Sequence, residues 1–170
     1  YYDYNANYPN GLYVADENGT VIKADESEQN FSDVTNSTWY KEGLTRINMK
    51  YGSAYESEDG TKQVSASAML NDGSGRIRII SADVSLQRIA IIVNSFVKMN
   101  NAAAFLVDTN DGTILAHRDA SLVSTKLDTS NSDAFLSSVA DKIDTVNYDT
   151  CELNGNLTGF ETITGTDWVL

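Results

Sequence analysis

Two adjacent aromatics, Trp39 and Tyr40, and one acidic residue set in an apolar run, Asp83 within Ile80-Ser81-Ala82-Asp83-Val84, are the side chains best suited to hold a small molecule. Flat aromatic walls that also carry N–H and O–H groups can enclose a ligand. A carboxylate taken out of water needs a cation or several N–H donors, and an ammonium group would meet that need. Each residue also has a plainer role open to it. Aromatics near helical spacing ordinarily pack a core, and an aspartate shortly before Ser85-Leu86 makes a good N-cap for a following helix.

Other chemistry finds less support. His117 is the only histidine, so neither a zinc site of the HExxH kind nor a Ser-His-Asp triad can be assembled, and it reads as a structural residue at a strand end. Asp108-Thr109-Asn110-Asp111-Gly112 has the composition of a calcium loop, but its glycine comes one position early and Asp119 stands where the closing glutamate belongs. A hairpin turn explains it better. Gly73-Ser74-Gly75 lacks the lysine and following helix of a phosphate loop and reads as a turn. Arg76 and Arg78 alternate with Ile77 and Ile79, so strand parity sets them on the face opposite Asp83, towards surface carboxylates. The acidic group Asp25, Glu26 and Glu28 reads as solvated surface. Cys151 is the only cysteine, which excludes an intrachain disulfide and a cysteine metal cluster, and its parity with Leu153 predicts a buried small side chain. No metal and no cofactor are expected.

The elements that would position these residues come in two sets. Leu12-Tyr13-Val14-Ala15-Asp16-Glu17-Asn18-Gly19-Thr20-Val21-Ile22 is echoed, with an offset of 93 residues, by Phe105-Leu106-Val107-Asp108-Thr109-Asn110-Asp111-Gly112-Thr113-Ile114-Leu115. Each copy is an apolar strand, a polar turn closed by glycine, and a second apolar strand, which predicts a hairpin. A fainter echo relates residues 80–86 to 164–170 at an offset of 84. Offsets of this size fit two copies of one small module and not a short-period solenoid. In the first copy a helix is expected over 36–48, from Trp39, Leu44 and Ile47, then antiparallel strands over 53–55, 63–70 and 76–84. An amphipathic connector helix is expected over 85–99, on Leu86, Ile89, Val93, Phe96 and Val97. The second copy predicts strands over 103–108 and 113–117, a helix over 132–143, and strands over 146–153, 157–164 and 167–170. The domain plan is therefore 1–84, a connector 85–100, and 101–170, in an α/β (α+β) chain of two antiparallel sheets flanked by short helices.

Composition limits the partners. Twenty-four acidic against twelve basic side chains give a net charge of -12, spread over both halves, which repels phosphate backbones and anionic membranes. No nucleic-acid partner is expected. The longest apolar run, residues 102–107, is far short of the roughly 18 residues of a membrane span. The apolar ending Asp167-Trp168-Val169-Leu170 predicts a strand cut from a longer protein, whose membrane anchor would lie outside this sequence.

Taken in order, Asn10-Gly11-Leu12-Tyr13-Val14-Ala15-Asp16 with Gly19, Trp39-Tyr40-Lys41-Glu42-Gly43, Tyr55, Val64-Ser65-Ala66-Ser67, Ser81-Ala82-Asp83-Val84-Ser85-Leu86, Gly112-Thr113-Ile114-Leu115-Ala116-His117 and Gly165-Thr166-Asp167-Trp168-Val169-Leu170 resemble the double Cache sensor domain. This family consists of two tandem PAS-like modules. The resemblance covers nearly the whole chain, apart from the family's long N-terminal helix, which is missing here. It implies an extracellular or periplasmic sensor, not an enzyme, whose membrane-distal module 1–84 binds a small polar metabolite such as an amino acid or amine, while 101–170 lies next to the membrane. The implied ligand residues are Trp39, Tyr40, Tyr55, Ser67 and Asp83. Ser37 stands where amino-acid-binding relatives carry an arginine that grips the ligand carboxylate, a bidentate contact serine cannot replace. The implied whole protein is a membrane-anchored receptor, open to forming a homodimer, with a methyl-accepting chemotaxis output; a histidine kinase or diguanylate cyclase is the alternative. An adhesion module and a hydrolase are the readings from other classes.

Overall fold

The structure is a computed structural model that describes residues 12–23, 28–30 (main chain only) and 33–170. Asn10, Gly11 and the acidic residues Asp25 and Glu26 lie outside the described residues, as does the Glu28 side chain. The chain divides into two compact units, Tyr1–Ser85 and Leu86–Leu170. Both are mixed α/β with antiparallel sheets. Among the described residues no helix is long and apolar enough to cross a membrane.

The first unit is built on one sheet in the order β3-β2-β1-β7-β6-β4, with β5 also paired to β6. β1 (Leu12–Asp16) and β2 (Thr20–Lys23) form the expected hairpin. Its turn closes because the Asp16 carboxylate accepts the N–H groups of Asn18 and Thr20, while Gly19 takes a φ of 82° that a side chain would oppose. β3 (Glu28–Asn30) extends the edge, and β7 (Arg78–Ser85) lies on the other side of β1.

The expected helix over 36–48 is shorter. A 3-10 turn, Val34–Asn36, leads into α1 (Thr38–Gly43). After Gly43 the chain leaves the helix, and the Arg46 carbonyl accepts the Met69 N–H at the sheet edge. Ile47 is 91% exposed, so the apolar spacing that suggested a longer helix buries nothing there. The strand expected over 53–55 is also revised, into two short pieces on one edge of β6 (Lys62–Met69): β4 (Lys50–Tyr51) and β5 (Tyr55–Glu56). Gly52 makes the break tight, since a Cβ there would lie 1.6 Å from Glu42 Oε2. A core of Tyr13, Ala15, Val21, Val34, Trp39, Tyr40 and Ile79 fills the space between α1 and the sheet.

The second unit opens with α2 (Leu86–Ser95), shorter than the expected 85–99. It buries Leu86, Ile89 and Val93, whereas Phe96 lies beyond its end and is 71% exposed. β8 (Leu106–Asp108) and β9 (Ile114–Ala116) form the echoed hairpin, closed by Gly112 at φ 73°. α3 (Ala134–Asp144) is capped by the Asp133 carboxylate, which accepts the N–H groups of Phe135 and Leu136. The expected three-strand meander is revised here. β10 (Cys151–Leu153) and β11 (Asn156–Thr158) pair only with each other across Asn154 and Gly155, both at positive φ. These strands bury no residue fully, and of their apolar side chains Leu153 packs, half-buried, against the core while Leu157 is exposed. Cys151 is accordingly half-buried and not enclosed. β12 (Thr162–Ile163) and β13 (Trp168–Val169) complete a sheet in the order β12-β13-β8-β9.

Candidate functional site

β6 carries small polar residues on one face and apolar ones on the other. Gln63, Ser65 and Ser67 alternate with Val64, Ala66 and Ala68, and all six are buried. β7 repeats the pattern with Ser81 and Asp83 against Ala82 and Val84. The register sets Ser65 opposite Asp83 and Ser67 opposite Ser81, while β1 sets Tyr13 opposite Ser81 on the other side. The polar residues of three strands therefore share one face. It is the face that carries the Tyr13 and Ile79 core residues beneath Trp39.

Asp83 is the centre of this arrangement. It is 6% exposed, and its Oδ1 accepts hydrogen bonds from the Tyr13 hydroxyl and the Ser65 hydroxyl, each at 2.6 Å. Gln63 Nε2 donates to Oδ2 at 3.1 Å and to the Tyr55 hydroxyl at 2.8 Å. The Ser65 hydrogen is directed at Asp83, so in the 2.6 Å bond between Tyr55 and Ser65 it is Tyr55 that donates. Every hydrogen in the chain of bonds points towards the carboxylate. Such aligned bonds reinforce one another in a buried setting, which is how a carboxylate persists there.

Both phenols respond to that charge. Burial, and then the neighbouring Asp83 charge, push Tyr55 up to about 12. Tyr13 is raised further for the same two reasons in the same order. Both stay protonated through the physiological range and act as donors. The Ser81 hydroxyl is fully buried beside Tyr13 and has no hydrogen-bond partner among the described residues.

The structure brings together two of the expected site residues, Tyr55 and Asp83, through Ser65 and Gln63. Trp39 reaches them indirectly: its ring meets Tyr13 edge to face at 5.0 Å, and Tyr13 bonds to Asp83. Tyr40 packs against Trp39 at 5.9 Å, while burial and the charges of Glu17 and Asp16 raise its phenol, which sets its hydroxyl at the β1–β2 turn. Ser67 lies on the polar face and accepts a long 3.4 Å bond from Arg46, which is also ion-paired with Glu42. Ser37 donates its hydroxyl to the Val34 carbonyl and so faces its own turn. Asp83 is not an N-cap: β7 continues through Ser85, and α2 begins at Leu86. Arg78 lies on the opposite face, as parity predicts, paired with Asp72.

Sequence reasoning missed Tyr13, Gln63 and Ser65 as site residues. The signal was available, because a strand buried on both faces yet alternating serine with alanine and valine must hydrogen-bond one of its faces.

Neither a protein-family model nor a curated protein sequence matches the chain. Its fold is that of solved ligand-binding domains of bacterial chemoreceptors. The Pseudomonas aeruginosa PAO1 amino-acid chemoreceptor PctB, in complex with L-Gln, superposes with a TM-score of 0.64 at 22% identity, over 93% of this chain and 64% of that one. The Pseudomonas fluorescens chemoreceptor CtaA with L-valine gives 0.65 at 21% identity, over 93% and 68%. The sensory domain of Campylobacter jejuni Tlp3 (CcmL) with isoleucine gives 0.61 at 17%, over 93% and 62%. The chain thus spans just under two thirds of the PctB domain.

Proposed function

We propose that the chain is the ligand-sensing region of a bacterial transmembrane receptor, of double Cache type, and that it binds a small amine-bearing metabolite in its first unit. The observation that carries this reading is the buried Asp83 carboxylate, held by Tyr13, Ser65 and Gln63 on the sheet face beneath Trp39. Tyr13, Ser65 and Gln63 orient the carboxylate, and a ligand ammonium brings it a charge-assisted hydrogen bond. The likeness in fold to domains solved with L-Gln, L-valine and isoleucine supports an amino acid or related amine. The Trp39 and Tyr55 rings form walls, with Tyr40, Ser67 and Ser37 in supporting places.

Residues 1–84 form the distal, binding module on this reading, and 101–170 the proximal one, with the helix between them carrying the signal. Binding drives signalling only to the extent that the ligand prefers one conformational state to the other. The domain acts outside the cytoplasm, anchored by membrane helices beyond this sequence, in a receptor that works as a dimer with a chemotaxis output. It performs no catalysis. Calorimetric titration with amino acids and their decarboxylated amines tests the reading. Binding by one such class, lost in Asp83→Asn, supports it; turnover of any of these compounds, or binding indifferent to Asp83, overturns it.

A further inference from the structure

With residue 37 a serine whose hydroxyl serves Val34, a ligand carboxylate needs another partner. Residues 24–32 and 1–11 contain no lysine or arginine, so within the first unit any cation for it lies among the described residues. Arg78 is paired with Asp72 on the opposite face, and Arg46 is held by Glu42 and the Lys50 carbonyl. Lys41, Lys50, Lys62 and Arg76 are exposed.

Lys23 is different. Its Cα pairs with Tyr13 in the β1–β2 ladder, and it shares parity with Val21, which is fully buried, while Ile22 between them is exposed. Lys23 is itself half-buried, and its ammonium has no hydrogen-bond or ion-pair partner among the described residues. The register makes Lys23, Tyr13, Ser81 and Ser67 one row of side chains across four strands, all on the face that holds Asp83. Two members of that row, the Lys23 ammonium and the fully buried Ser81 hydroxyl, are donors without a described acceptor. Asp83 lies one step along, two strands away, which sets its Cα about 12 Å from that of Lys23. An acidic anchor and a basic one that far apart, with the Tyr13 phenol between them, match the two ends of an amino acid once both side chains reach inward.

We propose that Lys23 takes over the missing arginine's role and binds the carboxylate of an amino acid whose ammonium is held at Asp83, making Lys23 the residue that selects amino acids over plain amines. This rests on the first unit being the binding module. The test is titration of the whole chain, in wild type and in Lys23→Gln, Lys23→Arg and Asp83→Asn, with the standard L-amino acids and the amine that decarboxylation of each would give. The expected result is a wild type that prefers an amino acid to its amine by about tenfold or more, a preference that disappears in Lys23→Gln and is largely kept in Lys23→Arg. Unchanged ligand-free melting temperatures show that the substitution acts on binding and not on folding. If Lys23→Gln keeps the preference, or wild type binds the amines as tightly, the role of Lys23 is overturned while amine sensing at Asp83 stands. If no compound binds wild type, both fall together.

Discussion

At Asp83 a carboxylate in a nearly water-free place accepts hydrogen bonds from Tyr13, Ser65 and Gln63, and the two phenols nearest it report its charge. Removing that charge should bring Tyr55 down from about 12 towards its ordinary 10.0, read by ultraviolet titration of Asp83→Asn. The sign for stability follows from proton binding. Between the unfolded value of 10.0 and about 12, the folded state keeps the Tyr55 proton that the unfolded state releases. Stability is therefore constant below pH 10 with respect to this group and falls as pH rises through that window. Melting temperatures across that range should show the decline, and Tyr55→Phe should make it shallower, though not flat, because Tyr13 shifts the same way. In the second unit, burial and then the nearby Asp111 and Asp167 charges raise the Asp108 carboxyl, against the hydrogen bond it accepts from Asn110. Asp108→Asn, which can keep that bond, should gain stability relative to wild type as pH rises from 4 to 7 in urea unfolding.

At the scale of elements, α1 lies close to the sheet because its last residue has no side chain. A Cβ on Gly43 would come 2.4 Å from Ile79 Cγ2 and 3.3 Å from Ser67 Cβ. Alanine favours a helix by about 1 kcal/mol over glycine, but here overpacking should outweigh it, so Gly43→Ala should lose about 1–3 kcal/mol in urea unfolding. The two hairpin glycines that marked the internal echo offer a comparison. Both have positive φ, but Gly19 has open space around its would-be Cβ, whereas at Gly112 that atom would meet the Leu127 carbonyl oxygen at 2.8 Å. Gly19→Ala should cost only the left-handed strain of about 1–2 kcal/mol, and Gly112→Ala distinctly more. The hairpins were readable from sequence because Asn-Gly and Asp-Gly turns are set by local sterics. The length of α1 and the break between β4 and β5 were not, since both follow from how the main chain meets the edge of β6.

For the molecule as a whole, the two units differ in what fills them. Both have an apolar core, that of the second being Val107, Ile114, Leu127, Leu136, Val139, Ala140 and Ile143 with aromatic neighbours, but the first adds the buried polar residues Gln63, Ser65, Ser67, Ser81 and Asp83 on one sheet face. Ligand should therefore protect amides of α1, β1, β6 and β7 from hydrogen exchange first and most strongly. Direct protection centred on the second unit instead would contradict the binding role assigned to the first.

Periodicity, turn residues and the echoed segments determined, with no coordinates, that this is an α/β chain with two hairpin-led halves, because those signals act between neighbours in sequence. Asp83 also stood out, since a charge within an apolar run must be satisfied wherever the run folds. Its partners did not. Tyr13, Gln63 and Ser65 meet it only through the pairing of β1, β6 and β7, and Trp39 rather than Tyr40 reaches it only because α1 docks with a particular rotation. Register and docking are contacts between residues tens of positions apart, and they alone decide which polar side chains share a face.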